Sequence, residues 1–447
     1  MKPITKKEFE FITKKDLSES NFNNLIKFVG ETLEQNKEET NKDKNTGTSF
    51  DFYNITYKKG YGQVINLKNY VGVIQTKDVQ IEVLPKIQLA TSDVNNIETK
   101  KIFYKMLACL KDSNHEKIFD NANLDTYNLP IFEFLISQYI KKVFNLIKRG
   151  LKSDYIRVED NMPFLKGKLL FKENIRYNMF HKERFYVAYD EYSLNRAENR
   201  IIKSTLLKLQ KLTHNNNNYR DINKLLMHFE FVEPSQNIEK DLAKAETLDR
   251  TIYHYKSVIN WSKIFLKKRG FTNFSGDTDV DAFLFPMEKI FEDYIATKIK
   301  QLWGNEFEIT AQDTEFDFLE IEHEQNKTKG VFPLRPDIVL KKDNKTIIMD
   351  TKWKVLENKQ FQYGISQPDL YQMVAYGLKY NANDIFLLYP QTEDKKLNEL
   401  DIKYYTDYKN KDILKSNNIT IHIHFIDLEN TEGSLNKLKE SILFSST

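Results

Sequence analysis

Apolar and polar positions repeat with two different periods along this chain, and each change of period marks a segment. Residues Phe9 to Leu33 repeat at helical spacing and predict a helix, and the Lys/Glu/Asn-rich stretch from Gln35 to Asn45 predicts a loop or linker. From Phe50 the period shortens to two. Val64, Tyr70 to Ile74 and Val79 to Leu84 alternate, with Lys77-Asp78 as a turn, which reads as a half-buried β hairpin. Helical spacing returns at Lys100 to Leu110 and again at Pro130 to Arg149, where Phe132, Leu135, Tyr139, Val143 and Leu146 share a face. That second helix opens on a proline and closes on Lys148-Arg149 before Gly150. Asn199-Arg200-Ile201 opens a further helix, the Asn215 to Asn218 run reads as a loop, and Glu239 to Arg269 reads as one long helix stopped by Gly270.

The C-terminal third alternates between the two periods. A helix is predicted over Pro286 to Trp303 and a strand over Glu306 to Ala311. Two β-branched runs, Ile338-Val339-Leu340 and Thr346-Ile347-Ile348-Met349, flank Lys341 to Lys345 with Asp343-Asn344 at the tip, the pattern of a β hairpin. Ser366-Gln367-Pro368-Asp369 carries the serine cap, early proline and first-turn carboxylate of a helix start. Leu370, Met373, Val374, Gly377 and Leu378 then form its apolar stripe, with Gln372 and Tyr376 on a common face off that stripe. Asp384 to Tyr389 predicts a buried strand, Ile419 to Ile426 an alternating one, and Ser434 to Leu443 a final helix. His422 and His424 share a face of the alternating strand, as a metal pair or as the polar face of an edge strand would.

The hairpin register carries the candidate chemistry. A two-residue turn at Asp343-Asn344 sets Lys342 opposite Lys345, Leu340 opposite Ile347 and Asp337 opposite Asp350. Lys352 then points to the same face as Asp350. Directly opposed side chains stand about 4.5–5.5 Å apart at Cβ, where two like charges destabilise the pair. A divalent cation removes that repulsion, and Mg²⁺ takes carboxylate oxygens while keeping waters and phosphate oxygens. An adjacent lysine would orient a water or stabilise charge developing on a phosphate.

Composition narrows the partners. The chain has 447 residues, 40% of them hydrophobic, with a net charge of +3, so any basic surface is local. Basic residues outnumber acidic ones between Lys141 and Arg184 and interleave with Phe164, Phe171, Tyr177, Phe180 and Phe185, a strip suited to a phosphate backbone or to ordinary core and surface packing. Cys109 is the single cysteine, which excludes an internal disulfide and a cysteine-based zinc cluster. With no apolar signal core between Met1 and Ser18 and no run of membrane-spanning length, a cytoplasmic protein without a membrane partner is expected. The absence of GxxxxGK[ST] means that any NTP hydrolysis comes from another subunit.

Pro336-Asp337, then Asp350-Thr351-Lys352, then Gln372 and Tyr376 on the following helix, resemble the PD-(D/E)xK nucleases with their QxxxY helix. More narrowly, the order resembles McrC, the nuclease subunit of McrBC-type modification-dependent restriction systems. Gly72-Val73-Ile74 leading to Ile81 through Lys86 is similar to the N-terminal β region of that family. Leu165-x-Gly167-x-Leu169, Tyr189-Asp190-Glu191 and Asn199-Arg200-Ile201 are similar to its centre. The resemblance implies an α+β multidomain chain with a partner-docking β-rich module over 1–125, a mainly helical, DNA-facing middle over 126–275, and an α/β restriction-endonuclease-like domain over 276–447. It implies Mg²⁺ on Asp337 and Asp350, with Lys352 at the attacking group and Gln372 and Tyr376 in support. The Phe291-Glu292 pair resembles one on the first helix of such domains and adds Glu292 as a further acid, with Glu288 as its neighbouring competitor. The implied partners are double-stranded DNA and an McrB-like AAA+ GTPase hexamer. A non-catalytic regulator of that NTPase and a stand-alone nuclease of repair or phage defence remain the alternatives.

Overall fold

The computed structural model describes residues 3–28, 53–75, 79–89, 93, 96–110, 129–246, 253–266, 281–323, 327–343, 345–357, 360–392, 395–405 and 419–444. The expected linker at 35–45, the turn at 77–78 and Asn344 at the hairpin tip lie outside them. The chain divides into two compact units, one formed by Leu129–Phe283 and the other by Lys2–Asn128 together with Leu284–Thr447. These two units are not the three segments expected over 1–125, 126–275 and 276–447.

The first unit is built on the helix Ile131–Lys148, whose predicted stripe of Phe132, Leu135, Tyr139, Val143 and Leu146 is buried. The Tyr139 hydroxyl bonds Ser262 Oγ at 2.8 Å, giving the buried phenol the partner that its burial demands. The expected long helix over Glu239 to Arg269 is two described helices, Ile238–Glu246 and Tyr253–Leu266. The Asn215 to Asn218 run is no loop. Asn215 Oδ1 accepts from the amides of Asn217 and Asn218 and so caps the helix Asn216–His228, because asparagine serves turns and helix N-caps alike. Asn199 and Arg200 are brackets: Asn199 Nδ2 donates to the carbonyls of Lys152 and Leu194, and Arg200 makes a two-pronged contact to Asp241. A three-stranded antiparallel sheet pairs Phe185–Ser193 with Asp154–Met162 and Lys168–Leu169. Around it Phe164, Phe171, Tyr177 and Phe180 are exposed rather than core.

The second unit opens with β1 (Ile4–Lys7) and, in place of the first turns of the helix expected from Phe9, a short strand at Phe11–Ile12; helix begins only at residue 19. Its first sheet brackets the predicted hairpin, β2 (Tyr70–Gln75) and β3 (Gln80–Leu84), between β1 and β4 (Asp281–Pro286) in the order β1-β3-β2-β4. Pairing on both sides, with α1 (Ile97–Leu107) packed against it, buries every residue of β3 and the middle of β2, more than the half-buried hairpin expected. Glu82, with no exposed surface, accepts an ion pair from Lys100 of α1 at 2.7 Å. A charge that deep persists only when paired.

Helix α2 (Met287–Trp303) leads into a six-stranded sheet. Its strands are β5 (Glu308–Ala311), β6 (Ile338–Lys342), β7 (Lys345–Thr351), β8 (Asp384–Pro390), β9 (Ile402–Tyr405) and β10 (Thr420–Ile426), in the order β5-β6-β7-β8-β10-β9. The pairs β7–β8 and β8–β10 are parallel and the rest antiparallel. Helix α3 (Gln367–Tyr380) is the crossover from β7 to β8, and it packs Met373, Tyr376 and Tyr380 on Ile348, Ile385, Leu387 and Ile421. The last helix, α4 (Thr431–Phe444), packs on β10 and α2.

Candidate active site

The predicted hairpin register is the one observed. Leu340 pairs with Ile347, Lys342 with Lys345 and Ile338 with Met349. Asp343 has φ 52°, the left-handed conformation that a tight two-residue turn requires and that aspartate tolerates. One step beyond Ile338 and Met349 the same register brings Asp337 level with Asp350.

Asp337 Oδ2 accepts from both the backbone amide and the hydroxyl of Thr351, each at 2.7 Å, which locks its rotamer. Asp350 is 2% exposed, and its Oδ2 lies 2.6 Å from Lys352 Nζ. That short contact to the ammonium is the one Asp350 Oδ2 makes among the described residues. Burial and then the neighbouring charge of Asp350 raise the pKa of Asp337, and burial raises that of Asp350. Burial also pushes Glu292 up to about 7, helped by the charge of Asp337. Burial alone would lower Lys352, but the charges of Asp350 and Asp337 outweigh it and hold the amine protonated.

A cleft of about 880 Å³ opens onto this group, lined by Asp337, Thr351, Lys352, Glu288, Glu292 and Asp369 among others. Asp350 itself is not among the lining residues and reaches the cleft's edge only through its contact with Lys352. Gln372 and Tyr376 are outside the cleft's lining: Gln372 Nε2 donates to the Tyr376 hydroxyl at 2.6 Å, and Tyr376 is 2% exposed in the core beneath α3. Its phenol is raised by burial and then by the charges of Asp350 and Asp337, so it sits close enough to feel them. Glu292 Oε1 accepts from Gln312 Nε2, whose own Oε1 accepts from Arg335 at 2.7 Å. The competing Glu288 is held by Asn69 Nδ2 at 3.1 Å.

Several members were not singled out from sequence. Thr351 lies inside the motif but reads there as a strand filler. Asp369 was legible only as a capping residue, and its amide does bond Ser366 Oγ. Gln312 carried no signal at all. His422 and His424 do not form a metal pair. His422 Nε2 meets Asp384 at 3.0 Å and its ring stacks on Phe386, while burial pushes His424 down to about 4.

The donor set suits a hard cation with few protein ligands. No group of three His, Cys, Asp or Glu side chains with metal-holding geometry is found among the described residues. Two carboxylates close enough that the charge of Asp350 raises the pKa of Asp337 nevertheless suit Mg²⁺, which takes one or two carboxylates and fills its other positions with water and phosphate. Among the described residues no helix is long and apolar enough to cross a membrane.

The fold has solved counterparts. It superposes with TM-score 0.64 and 18% identity on a chain of the Thermococcus gammatolerans assembly of McrB AAA+ hexamers with bound McrC, covering 98% of this chain and all of that one. A second structure, the Thermococcus gammatolerans McrBC complex, matches with TM-score 0.45 and 21% identity over 66% of this chain and 86% of that one. No curated protein matches. Residues 65–390 match the family described as McrBC 5-methylcytosine restriction system component, and the chain therefore belongs to that family.

Proposed function

We propose that this chain is the DNA-cleaving subunit of an McrBC-like restriction complex, a Mg²⁺-dependent endonuclease acting beside an McrB-like AAA+ GTPase. The observation that supports it best is the pair Asp337 and Asp350, brought level by strand register, with Asp337 and Lys352 lining an open cleft and Lys352 paired to Asp350. A fold held together for its own sake gains nothing from two like charges in that position.

In this reading Asp337 and Asp350 hold Mg²⁺, which when bound lowers the pKa of water and neutralises charge on the scissile phosphate. Thr351 holds Asp337 in place at the cleft through two hydrogen bonds to Oδ2. Lys352 moves from Asp350 to the phosphate, where its fixed positive charge stabilises the additional negative charge of the transition state. Glu292, with a pKa of about 7, takes or returns a proton in the cleft beside Asp337. Asp369 adds charge at the start of α3, and Gln372 with Tyr376 anchors that helix beneath the site.

The test is cleavage of methylated and unmethylated duplex DNA by the full chain purified with the product of the neighbouring gene, in Mg²⁺ with GTP or ATP. Lys352→Ala should lower the cleavage rate by about 10²–10³-fold, the usual loss when a charge-stabilising group is removed. Asp350→Asn should abolish dependence on Mg²⁺ along with cutting. Equal cutting by wild type and both variants would leave the chain a non-catalytic regulator.

A further inference from the structure

The cleft has a second wall that the motif residues do not supply. Phe9, Asn69 and Lys86, from the N-terminal segment, line the cleft together with Lys352 and Asp369. Among the cleft's lysines, Lys352 is paired with Asp350 and Lys354 donates to the carbonyl of Gly364. Lys86 is exposed and has no ion pair among the described residues. Beside it Phe9 is 53% exposed with φ 66°, a left-handed backbone that a bulky aromatic rarely adopts. Neither feature serves the core, and strain of this kind persists where the surroundings over-determine it.

Glu8 is what over-determines it. Its carboxylate is 1% exposed and accepts from Trp353 Nε1 at 3.1 Å on both oxygens and from the Lys86 amide at 3.0 Å. The Glu8 amide donates to the Leu84 carbonyl and the Phe9 amide to that of Leu67. One buried group therefore joins the end of β1, the residues just after β3, and Trp353 directly after Lys352. It fixes Phe9 and Lys86 at a set place relative to the catalytic hairpin.

Resting on the nuclease reading above, we propose that the N-terminal segment builds the strand-binding wall of the DNA site, with Lys86 holding a phosphate next to the scissile one and Phe9 packing against the adjoining nucleotide. The cleft's chemistry calls for such a wall. Glu288, Glu292, Asp337, Glu357 and Asp369 make it acid-rich, so a nucleic-acid backbone entering it needs a free cation as well as a metal. Lys86 meets that need. Phe9 offers the apolar face that nucleotides stack on regardless of base identity. Glu8 acts as a positioning residue for both.

The experiment uses the full chain and a short fluorescein-labelled duplex in Ca²⁺, with 2-aminopurine placed at positions flanking the cleavage point. Lys86→Ala and Lys86→Glu should weaken binding by about five- to tenfold and lower the slope of log Kd against log salt by about one. Phe9→Gly should weaken binding roughly tenfold and remove the 2-aminopurine signal change. Because glycine relieves the left-handed backbone, its Tm should hold or rise, which a merely structural role for the ring would not allow. Wild type that binds and cuts, with Lys86→Glu and Phe9→Gly indistinguishable from it, overturns this inference and leaves the nuclease reading standing. Wild type that neither binds nor cuts DNA overturns both.

Discussion

Burying a carboxylate costs free energy unless its neighbours supply donors or positive charge, and Glu8 shows the balance in this chain. Burial pushes it up to about 8, against the opposing effect of hydrogen bonds from Lys86 and Trp353, with Glu288 adding a smaller push upward. The sign follows from linkage. A carboxyl whose pKa is raised on folding contributes its full stability below its unfolded value of 4.5 and loses it as pH climbs through about 8. Each unit is worth about 1.4 kcal/mol, so several kcal/mol are at stake across that window. Glu8→Gln, which cannot ionise, should flatten the fall in urea-unfolding free energy between pH 5 and pH 8. A slope identical to wild type would mean that Glu8 ionises freely in the fold. Glu292 is set the same way, by burial before charge, but at the cleft, where the raised pKa of about 7 places its proton within reach of neutral-pH chemistry.

At the scale of elements, the hairpin of the candidate site is held from one side by α3, and the contact turns on Gly377. A Cβ there would stand 2.7 Å from Ile419 Cδ1 and 3.0 Å from Ile385 Cδ1, both on buried residues, Ile385 in β8 and Ile419 just before β10. Gly377→Leu should therefore cost about 3 kcal/mol in denaturant unfolding through overpacking. Gly377→Ala should come nearer to neutral, because alanine's helix preference of about 1 kcal/mol offsets the smaller clash. Equal stability for both would show that α3 can lift off its strands. This helix was legible in advance, since a serine cap, an early proline and an apolar stripe all agree. The hairpin register was legible because a period of two and a turn length fix every pair. What escaped was of two kinds. Asn215 signals a loop and a cap equally, so local chemistry left the choice to packing. Glu8 and Trp353 are 345 positions apart, and no periodicity reports a pairing of that range.

At the scale of the whole molecule, the unit bearing the candidate site is made from two stretches of chain, Lys2–Asn128 and Leu284–Thr447. The second stretch carries Asp337, Asp350 and Lys352, yet it lacks β1 to β3, whose strands complete the first sheet. It also lacks the Glu8 acceptor for Trp353, whose ring packs on Phe291 of α2 with centroids 5.3 Å apart. Trp353 is 5% exposed in the unit, so cutting the first stretch away would open a large aromatic surface and orphan a buried donor beside Lys352. Domain stabilities of only about 5–15 kcal/mol leave little room for that loss. A fragment of residues 284–447 should thus show no cooperative thermal transition and rapid proteolysis near Trp353. Supplying residues 1–128 as a separate chain should restore both a transition and the blue-shifted emission of a buried tryptophan. If the fragment alone melted cooperatively with its tryptophan already shielded, the nuclease motif would be self-sufficient, and the N-terminal segment would be a neighbour of the site rather than part of its construction.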